Sequence, residues 1–436
     1  MERLIEREFY KWKHQGCKKP ILLVGARQIG KTFSVLKFCK ENYKNVVYIN
    51  LEKERDIVEI FQKTLDPEKI IFQIEILLKV DLHQDGSILI LDEIQICEQA
   101  ITSLKYFCED KNGFPVIGAG SLLGVKLHRF QSSFPVGKVD ILYMYPMNFH
   151  EYLIAQGENK LIQMIQEHYQ TMEALPNILH EKALELYKEY LYTGGMPEIV
   201  QDRISTPITE LNTSLLELIL AAYMADMHKY TNNTESIKNI QIYQSIPSQL
   251  AKENKKFKYS IVDKSARSKY YQTSMDWLLA SKMLLKSTLV STPKIPLRAY
   301  EEQDMFKIYM SDTGLLTSMS GLTLYDILSE NNEMFMGALT ENFIANEFVS
   351  YGLPLNYYTF SNYEIDFILA IHGNIIPIEC KAGKRTVSKS LKNYMEKYMP
   401  SYAIRFSTKN FGFENQIKSI PLYAVFTFCE EWKESR

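Results

Sequence analysis

The sequence predicts an α/β protein: a doubly wound parallel sheet in the first 155 residues, then a largely helical stretch, then a smaller α/β unit. Short apolar runs recur at 20–24, 45–51, 87–91, 115–119 and 139–143, as strands buried on both faces do. Stretches of helical length and amphipathic pattern, such as Lys31–Tyr43 and Pro67–Val80, lie between them. Strands that alternate with helices pair in parallel, because each crossover is a helix.

A chain of 436 residues is too long for one ordinary core, so several domains are expected. Hydrophobic residues make up 46% and charged residues 23%, the balance of a globular protein. No apolar run approaches the roughly 18 residues of a membrane-spanning helix. The charged start, Met1-Glu-Arg-Leu-Ile-Glu-Arg, lacks the apolar stretch of a signal peptide, so a cytoplasmic location without membrane contact is expected. The six cysteines are scattered without a C-x-x-C pair, which fits reduced thiols and no structural zinc.

Gly25-Ala-Arg-Gln-Ile-Gly30-Lys31-Thr32 follows the first apolar run, opens a helical stretch and satisfies G-x-x-x-x-G-K-[ST]. Its residues Gly25, Ala26, Arg27, Gln28, Ile29, Gly30, Lys31 and Thr32 are the expected nucleotide contacts. The glycines let backbone N–H groups close around phosphates, and the helix N-terminus adds partial positive charge. Lys31 should reach the β- and γ-phosphates, and Thr32 should offer its hydroxyl to Mg²⁺.

Such a site needs a carboxylate at the end of a neighbouring strand, and Ser87-Ile-Leu-Ile-Leu-Asp92-Glu93 supplies it. Asp92 is the expected metal-side acid, and Glu93 is placed to polarise the attacking water. ATP and Mg²⁺ are therefore the expected ligands. The run at 115–120 ends at Ser121, which either senses the γ-phosphate or caps a helix.

Charge is uneven within a net −2 chain. Eleven basic residues face three acids between Lys252 and Arg298, and eight face one acid between Lys381 and Lys409. DNA contact through 252–298 and 381–409 is one reading; solvated helix faces are the other. In the first region, helices near 239–252 and 264–280 precede a compact basic unit, Ser287–Ser291 and Lys294–Leu297. Its turn-rich segment with Lys286, Pro293, Lys294, Pro296 and Arg298 is placed as the wing of a winged helix would be. Lys264, Arg267 and Lys269 sit where a recognition helix meets phosphates, although winged helices also serve as protein contacts.

Near the C-terminal end, Glu364-Ile-Asp366-Phe-Ile-Leu369 and Ile376-Pro-Ile-Glu379-Cys-Lys381 flank a turn at His372-Gly-Asn374. A two-residue Gly373-Asn374 turn would set Asp366 opposite Lys381, with Glu379 diagonal to it. Two carboxylates and a lysine on one face suit a metal-dependent phosphodiesterase, or are ordinary cross-strand ion pairs.

The nucleotide motifs resemble those of prokaryotic AAA-type P-loop ATPases that carry a long C-terminal region. The likeness extends to Gly120-Ser-Leu-Leu-Gly124, Tyr145-Pro-Met-Asn-Phe149, Tyr192–Pro197, Ile246–Asn254 and Phe306–Gly314. The D…E-x-K spacing resembles the PD-(D/E)XK nuclease superfamily. That resemblance implies Asp366, Glu379 and Lys381 as catalytic residues, with Glu341 as a further metal ligand and Glu347 as second choice.

Together these resemblances imply an AAA-type ATPase domain over 1–155 and a helical region over 156–235. A winged-helix-like domain over 236–330 and a nuclease-like domain over 331–436 follow. Homo-oligomerisation is implied by analogy; Arg129 is the nearest candidate for an arginine offered to a neighbouring subunit's site, and a surface arginine of no catalytic use is the preferred reading of it. The expected function is ATP hydrolysis coupled to nucleic-acid binding and metal-dependent cleavage. The alternative is a nucleotide-dependent signalling or scaffold switch whose C-terminal domain binds partners without cutting.

Overall fold

A computed structural model of the chain describes residues 1–15, 19–110, 113–128, 134–252, 254–264, 266–329, 333–383 and 389–434. They form two compact units, one of residues 1–145 with 280–282 and one of 146–279 with 283–436. Among the described residues no disulfide forms, and no helix is long and apolar enough to cross a membrane.

The first unit is built on five strands: β1 (Ile21–Val24), β2 (Asn45–Asn50), β3 (Ser87–Asp92), β4 (Val116–Gly120) and β5 (Asp140–Tyr143). All neighbouring pairs are parallel, in the order β2-β3-β4-β1-β5. The three central strands are buried along their whole length, which is why they read as unbroken apolar runs. Helices form where the apolar residues fall on one side. In Pro67–Leu78, Ile70, Ile71 and Ile74 turn into the core. Asp66 caps that helix by accepting from the Glu68 and Lys69 amides, and Pro67 occupies the first turn, where no amide is required.

The second unit begins with helices Phe149–Ala155, Asn159–Thr171, Asn177–Thr193, Pro197–Ser205, Ser214–Tyr230 and Asn233–Leu250. The loop expected from the glycines and proline of Tyr192–Pro197 separates the third and fourth of these. It is locked by Asp312, whose Oδ2 accepts from the Gly195 amide at 2.7 Å. The other oxygen, Oδ1, caps helix Thr313–Ser320 through the Leu315 amide at 2.9 Å. Two motifs more than a hundred residues apart in the sequence thus form one buried joint.

Helix Ser268–Ala280 is followed by β6 (Leu284–Val290) and β7 (Glu301–Met310), which pair antiparallel. The turn-rich stretch 293–298 lies between β6 and β7. Pro293 and Pro296 cannot donate to a ladder, so pairing resumes at Glu301. After helix Glu333–Ser350 come β8 (Asn356–Phe360) and β9 (Tyr363–Ile365), which extend the sheet to β7-β6-β8-β9. Strands from both sides of residue 330 therefore share one sheet. A second sheet has the order β10-β11-β12-β14-β13. Its strands are β10 (Phe367–Ile371), β11 (Asn374–Lys381), β12 (Ala403–Ser407), β13 (Gly412–Glu414) and β14 (Ile417–Pro421).

The expected fold class is therefore the observed one: a parallel nucleotide-binding-type sheet, then helices, then smaller sheet-containing regions.

Candidate functional site

The candidate nucleotide site lies at the carboxyl ends of β1, β4 and β3, which are neighbours in the sheet. The chain leaves β1 through a tight turn. Gly25 approaches Met144 so closely that a Cβ would come within 2.3 Å of the Met144 carbonyl oxygen. Gln28 and Gly30 adopt left-handed backbone at φ 61° and 90°, a geometry that lines up successive N–H groups around an anion. Arg3 holds the turn from behind, its Nη1 donating to the Ile29 carbonyl at 2.6 Å and its Nη2 to the Tyr145 carbonyl at 2.7 Å.

Lys31 opens helix Lys31–Asn42 and is buried. Its Nζ donates to the carbonyl oxygens of Gly25 at 3.0 Å and Ala26 at 2.5 Å. Burial lowers its pKa to about 8, and the nearby charges of Glu93 and Asp92 partly offset that effect.

Asp92 ends β3 and is oriented from three directions. Thr32 Oγ1 donates to its Oδ2 at 2.9 Å, and Tyr48 OH donates to the same oxygen at 2.8 Å. The Glu93 amide donates to Oδ1 at 3.0 Å. The Thr32 hydroxyl and the Asp92 carboxylate are the oxygen donors available to a divalent cation at this point.

Glu93 takes left-handed backbone, φ 52°, and so leaves the strand line. Its Oε2 accepts from Gln95 Nε2 and from Ser121 Oγ, the latter at 3.4 Å. Arg27 Nε in turn donates to Ser121 Oγ at 3.2 Å. Ser121, weighed from sequence as a γ-phosphate sensor or a helix cap, therefore lies between the P-loop and Glu93. Arg129 lies outside the described residues. Sequence reasoning did not single out Tyr48 or Arg3, because neither belongs to a motif.

The second constellation lies within the second unit. The hairpin register differs from the expected one: Phe367 pairs with Ile378 and Ile371 with Asn374. The turn residues are His372 and Gly373, both left-handed at φ 45° and 79°, and Asn374 belongs to the strand. Continuing that register sets Asp366 opposite Glu379 rather than Lys381.

Asp366 accepts from the Cys380 amide at 2.8 Å. Burial, then the charges of Glu379 and Glu341, push its pKa up to about 8. Glu379 Oε1 pairs with Lys381 Nζ at 2.6 Å, while its Oε2 is buried without a hydrogen-bond partner. Burial opposes the Lys381 charge, yet Glu379 holds the ammonium above its ordinary pKa. Two facing carboxylates with an orphaned oxygen are a donor set that suits a divalent cation.

Glu341 does not join that pair. It projects from helix Glu333–Ser350 into a ring of other partners. Lys307 Nζ reaches Oε1 at 2.8 Å, Tyr309 OH donates to the same oxygen, and Lys255 Nζ pairs with Oε2. Burial alone would raise the pKa of Glu341, but Lys255 and Lys307 hold it down to about 2. The ligand atoms of Glu341, Asp366 and Glu379 do not gather within 4.8 Å; among the described residues Glu75, Asp81 and His83 do, at the surface of the first unit. Glu347, the second choice, instead accepts from the Phe149 amide at 2.7 Å.

Of the basic run, Lys252, Lys258, Lys264, Arg267, Lys269, Lys294 and Arg298 are exposed, whereas Lys255 is drawn inward. Lys389, Lys392 and Lys397 are exposed in the C-terminal run. Lys384 and Arg385 lie outside the described residues.

Residues 17–153 match a family model described as an AAA domain. Residues 184–326 and 336–425 match two models described as domains of unknown function, DUF8612 and DUF4143. Among solved structures the chain is similar to a Walker-type ATPase of Pyrococcus abyssi, at 14% identity and a TM-score of 0.46, covering 73% of this chain and 95% of that one. It is also similar to the ORC2 protein of Aeropyrum pernix, at 12% identity and a TM-score of 0.35, covering 75% and 92%. A third likeness is to the RuvB Holliday junction branch migration motor of Thermotoga maritima, at 13% identity and a TM-score of 0.29, covering 67% and 90%. No curated protein matches the chain.

Proposed function

We propose that the chain is an ATP-hydrolysing switch whose second unit engages nucleic acid. The observation that carries the ATPase reading is the meeting of Lys31, Thr32, Asp92 and Glu93 at adjacent strand ends, with Thr32 already hydrogen-bonded to Asp92. Lys31 exchanges its two carbonyl partners for β- and γ-phosphate oxygens. Thr32 and Asp92 hold Mg²⁺, which when bound neutralises charge on the β- and γ-phosphates. Glu93 accepts a proton from the attacking water, and Ser121 and Gln95 position it.

Exchanging Glu93 for Gln keeps the shape but removes the base. The variant should bind ATP as the parent does and turn it over roughly 10²- to 10⁴-fold more slowly. Parental turnover in Glu93→Gln would remove Glu93 from the mechanism.

For the second unit, the support for nucleic-acid contact is the exposed cluster Lys264, Arg267 and Lys269 at the start of helix Ser268–Ala280. Cleavage is supported by the facing Asp366 and Glu379 with their orphaned oxygen. These two residues would hold a divalent cation that polarises a phosphodiester, and Lys381 would orient water from its place on Glu379. Plasmid incubated with Mg²⁺ or Mn²⁺ should be nicked, and Asp366→Ala should abolish the nicking. No cleavage with any metal, with or without ATP, returns the second unit to a partner-binding role.

A further inference from the structure

Glu341 was expected to be a metal ligand, but its carboxylate is already served by two lysines of different burial. Lys307 lies on β7 with a wholly buried side chain, and it is pinned a second time by Glu364 at 2.6 Å. Lys255 comes from a short segment, 254–258, between helix Asn233–Leu250 and the single turn Tyr259–Val262. That segment lies along β7 as a strap. Lys256 forms an isolated antiparallel bridge with Lys307, and the Phe257 amide donates to the Phe306 carbonyl at 2.9 Å. The Phe257 ring stacks on Phe306 with centroids 5.6 Å apart. Against β7 the strap is held by one bridge, one ring contact and the Lys255 ion pair. Its far end is fixed by the Gln249 side chain, which accepts from the Lys258 amide at 3.0 Å and donates to the Lys258 carbonyl at 2.9 Å. The Lys255 side chain keeps 17% of its surface in solvent.

The strap also belongs to the basic surface. Lys252 precedes it and Lys258 ends it, both exposed, and Lys264, Arg267 and Lys269 follow within the same stretch of chain. A phosphodiester backbone arriving there would compete with Glu341 for the partly exposed Lys255 ammonium. Within the cluster, Lys255 and Lys307 offset the charge of Glu341 and its acidic neighbours. Withdrawal of Lys255 leaves the cluster one unit more negative and so more attractive to a divalent cation.

We propose that Lys255 is a latch on the Asp366–Glu379 pair: seated on Glu341, it supplies from within the charge that a divalent cation would bring, and a nucleic-acid backbone that draws the strap away readies the pair for metal. The latch rests on the reading of Asp366 and Glu379 as a metal site.

The test is Mn²⁺ binding, followed by electron paramagnetic resonance, to the nucleotide-free full chain carrying Asp92→Asn to remove the carboxylate of the nucleotide site. Adding Lys255→Met, which keeps the length of the stem, should tighten Mn²⁺ binding on the order of tenfold. That binding should disappear when Asp366→Asn is added. Equal, Asp366-dependent affinity with and without Lys255 overturns the latch and leaves the metal site standing. No Asp366-dependent binding in either protein overturns the metal site and the latch with it. The release step is read in the chain without substitutions: duplex DNA should speed hydrogen exchange at the Phe257 amide, and unchanged protection at saturating or non-binding duplex overturns it.

Discussion

Thr32 Oγ1 and Asp92 Oδ2, 60 positions apart in sequence, are hydrogen-bonded at 2.9 Å. The last residue of the glycine-rich motif and the first acid of the Asp92–Glu93 pair are thereby set side by side. Thr32→Val removes the hydroxyl at nearly constant volume, so the fold should persist. Mg²⁺-dependent turnover should fall on the order of 10²-fold, because a preorganised ligand is lost from a charged site. A steady-state assay across Mg²⁺ concentrations measures this, and an unaltered Mg²⁺ dependence removes Thr32 from the metal.

Gly25 and Gly120 should respond differently to alanine. At Gly25 the added carbon meets the backbone oxygen of Met144 at 2.3 Å, and backbone yields little. Gly25→Ala should therefore lose about 1–3 kcal/mol of stability along with nucleotide binding. At Gly120 the added carbon meets the far end of Gln95, at 1.9 Å from its Oε1. That side chain can swing aside, so Gly120→Ala should melt near the parent but turn over ATP more slowly, since Gln95 no longer steadies Glu93. Equal melting and equal turnover in both variants contradicts this.

Glu347 makes stability depend on pH. Burial, then the charges of Glu151 and Glu430, raise its pKa from 4.5 to about 8 in the folded chain. Between those values the folded state holds a proton that the unfolded state has released, so stability falls as pH rises. The slope is about 1.4 kcal/mol per pH unit, complete by pH 8 and absent below 4.5. Glu347→Gln still accepts from the Phe149 amide and should flatten its share of that slope. Denaturant melts of both proteins from pH 5 to 8 check this; parallel curves contradict it.

Binding of nucleic acid by the second unit predicts strong salt dependence. On duplex DNA, removing one cation that neutralises a phosphate should reduce the slope of log affinity against log salt by about 0.9. Lys264→Ala, Arg267→Ala and Lys269→Ala should each weaken binding to all sequences alike. Binding that ignores salt, or survives the triple variant, assigns that face to another partner.

The first unit was legible because its central strands are buried on both faces, so they appear as apolar runs without alternation. The Lys31–Thr32 and Asp92–Glu93 motifs were legible because phosphate chemistry fixes residue type and spacing together. Tyr48 was not, since one tyrosine on a strand gives no sign of the neighbour it will meet.

In the second unit, β7 was hidden by its start, Glu301-Glu302-Gln303-Asp304, a polar and largely exposed run without strand alternation. The hairpin register turned on which two residues take left-handed backbone, and His372 is a less obvious choice than Asn374. Lys255 and Lys307 show the limit of charge counting. Both read as basic positions of ordinary kind, and only the fold turns them inward onto Glu341.

Calorimetric titration with Mg²⁺·ATP, on the full chain and on Lys31→Ala, tests the nucleotide cup most directly. The full chain should bind one equivalent, and Lys31→Ala should lose that binding while melting at a similar temperature. No heat of binding from the full chain, or equal affinity without the Lys31 ammonium, would contradict the account.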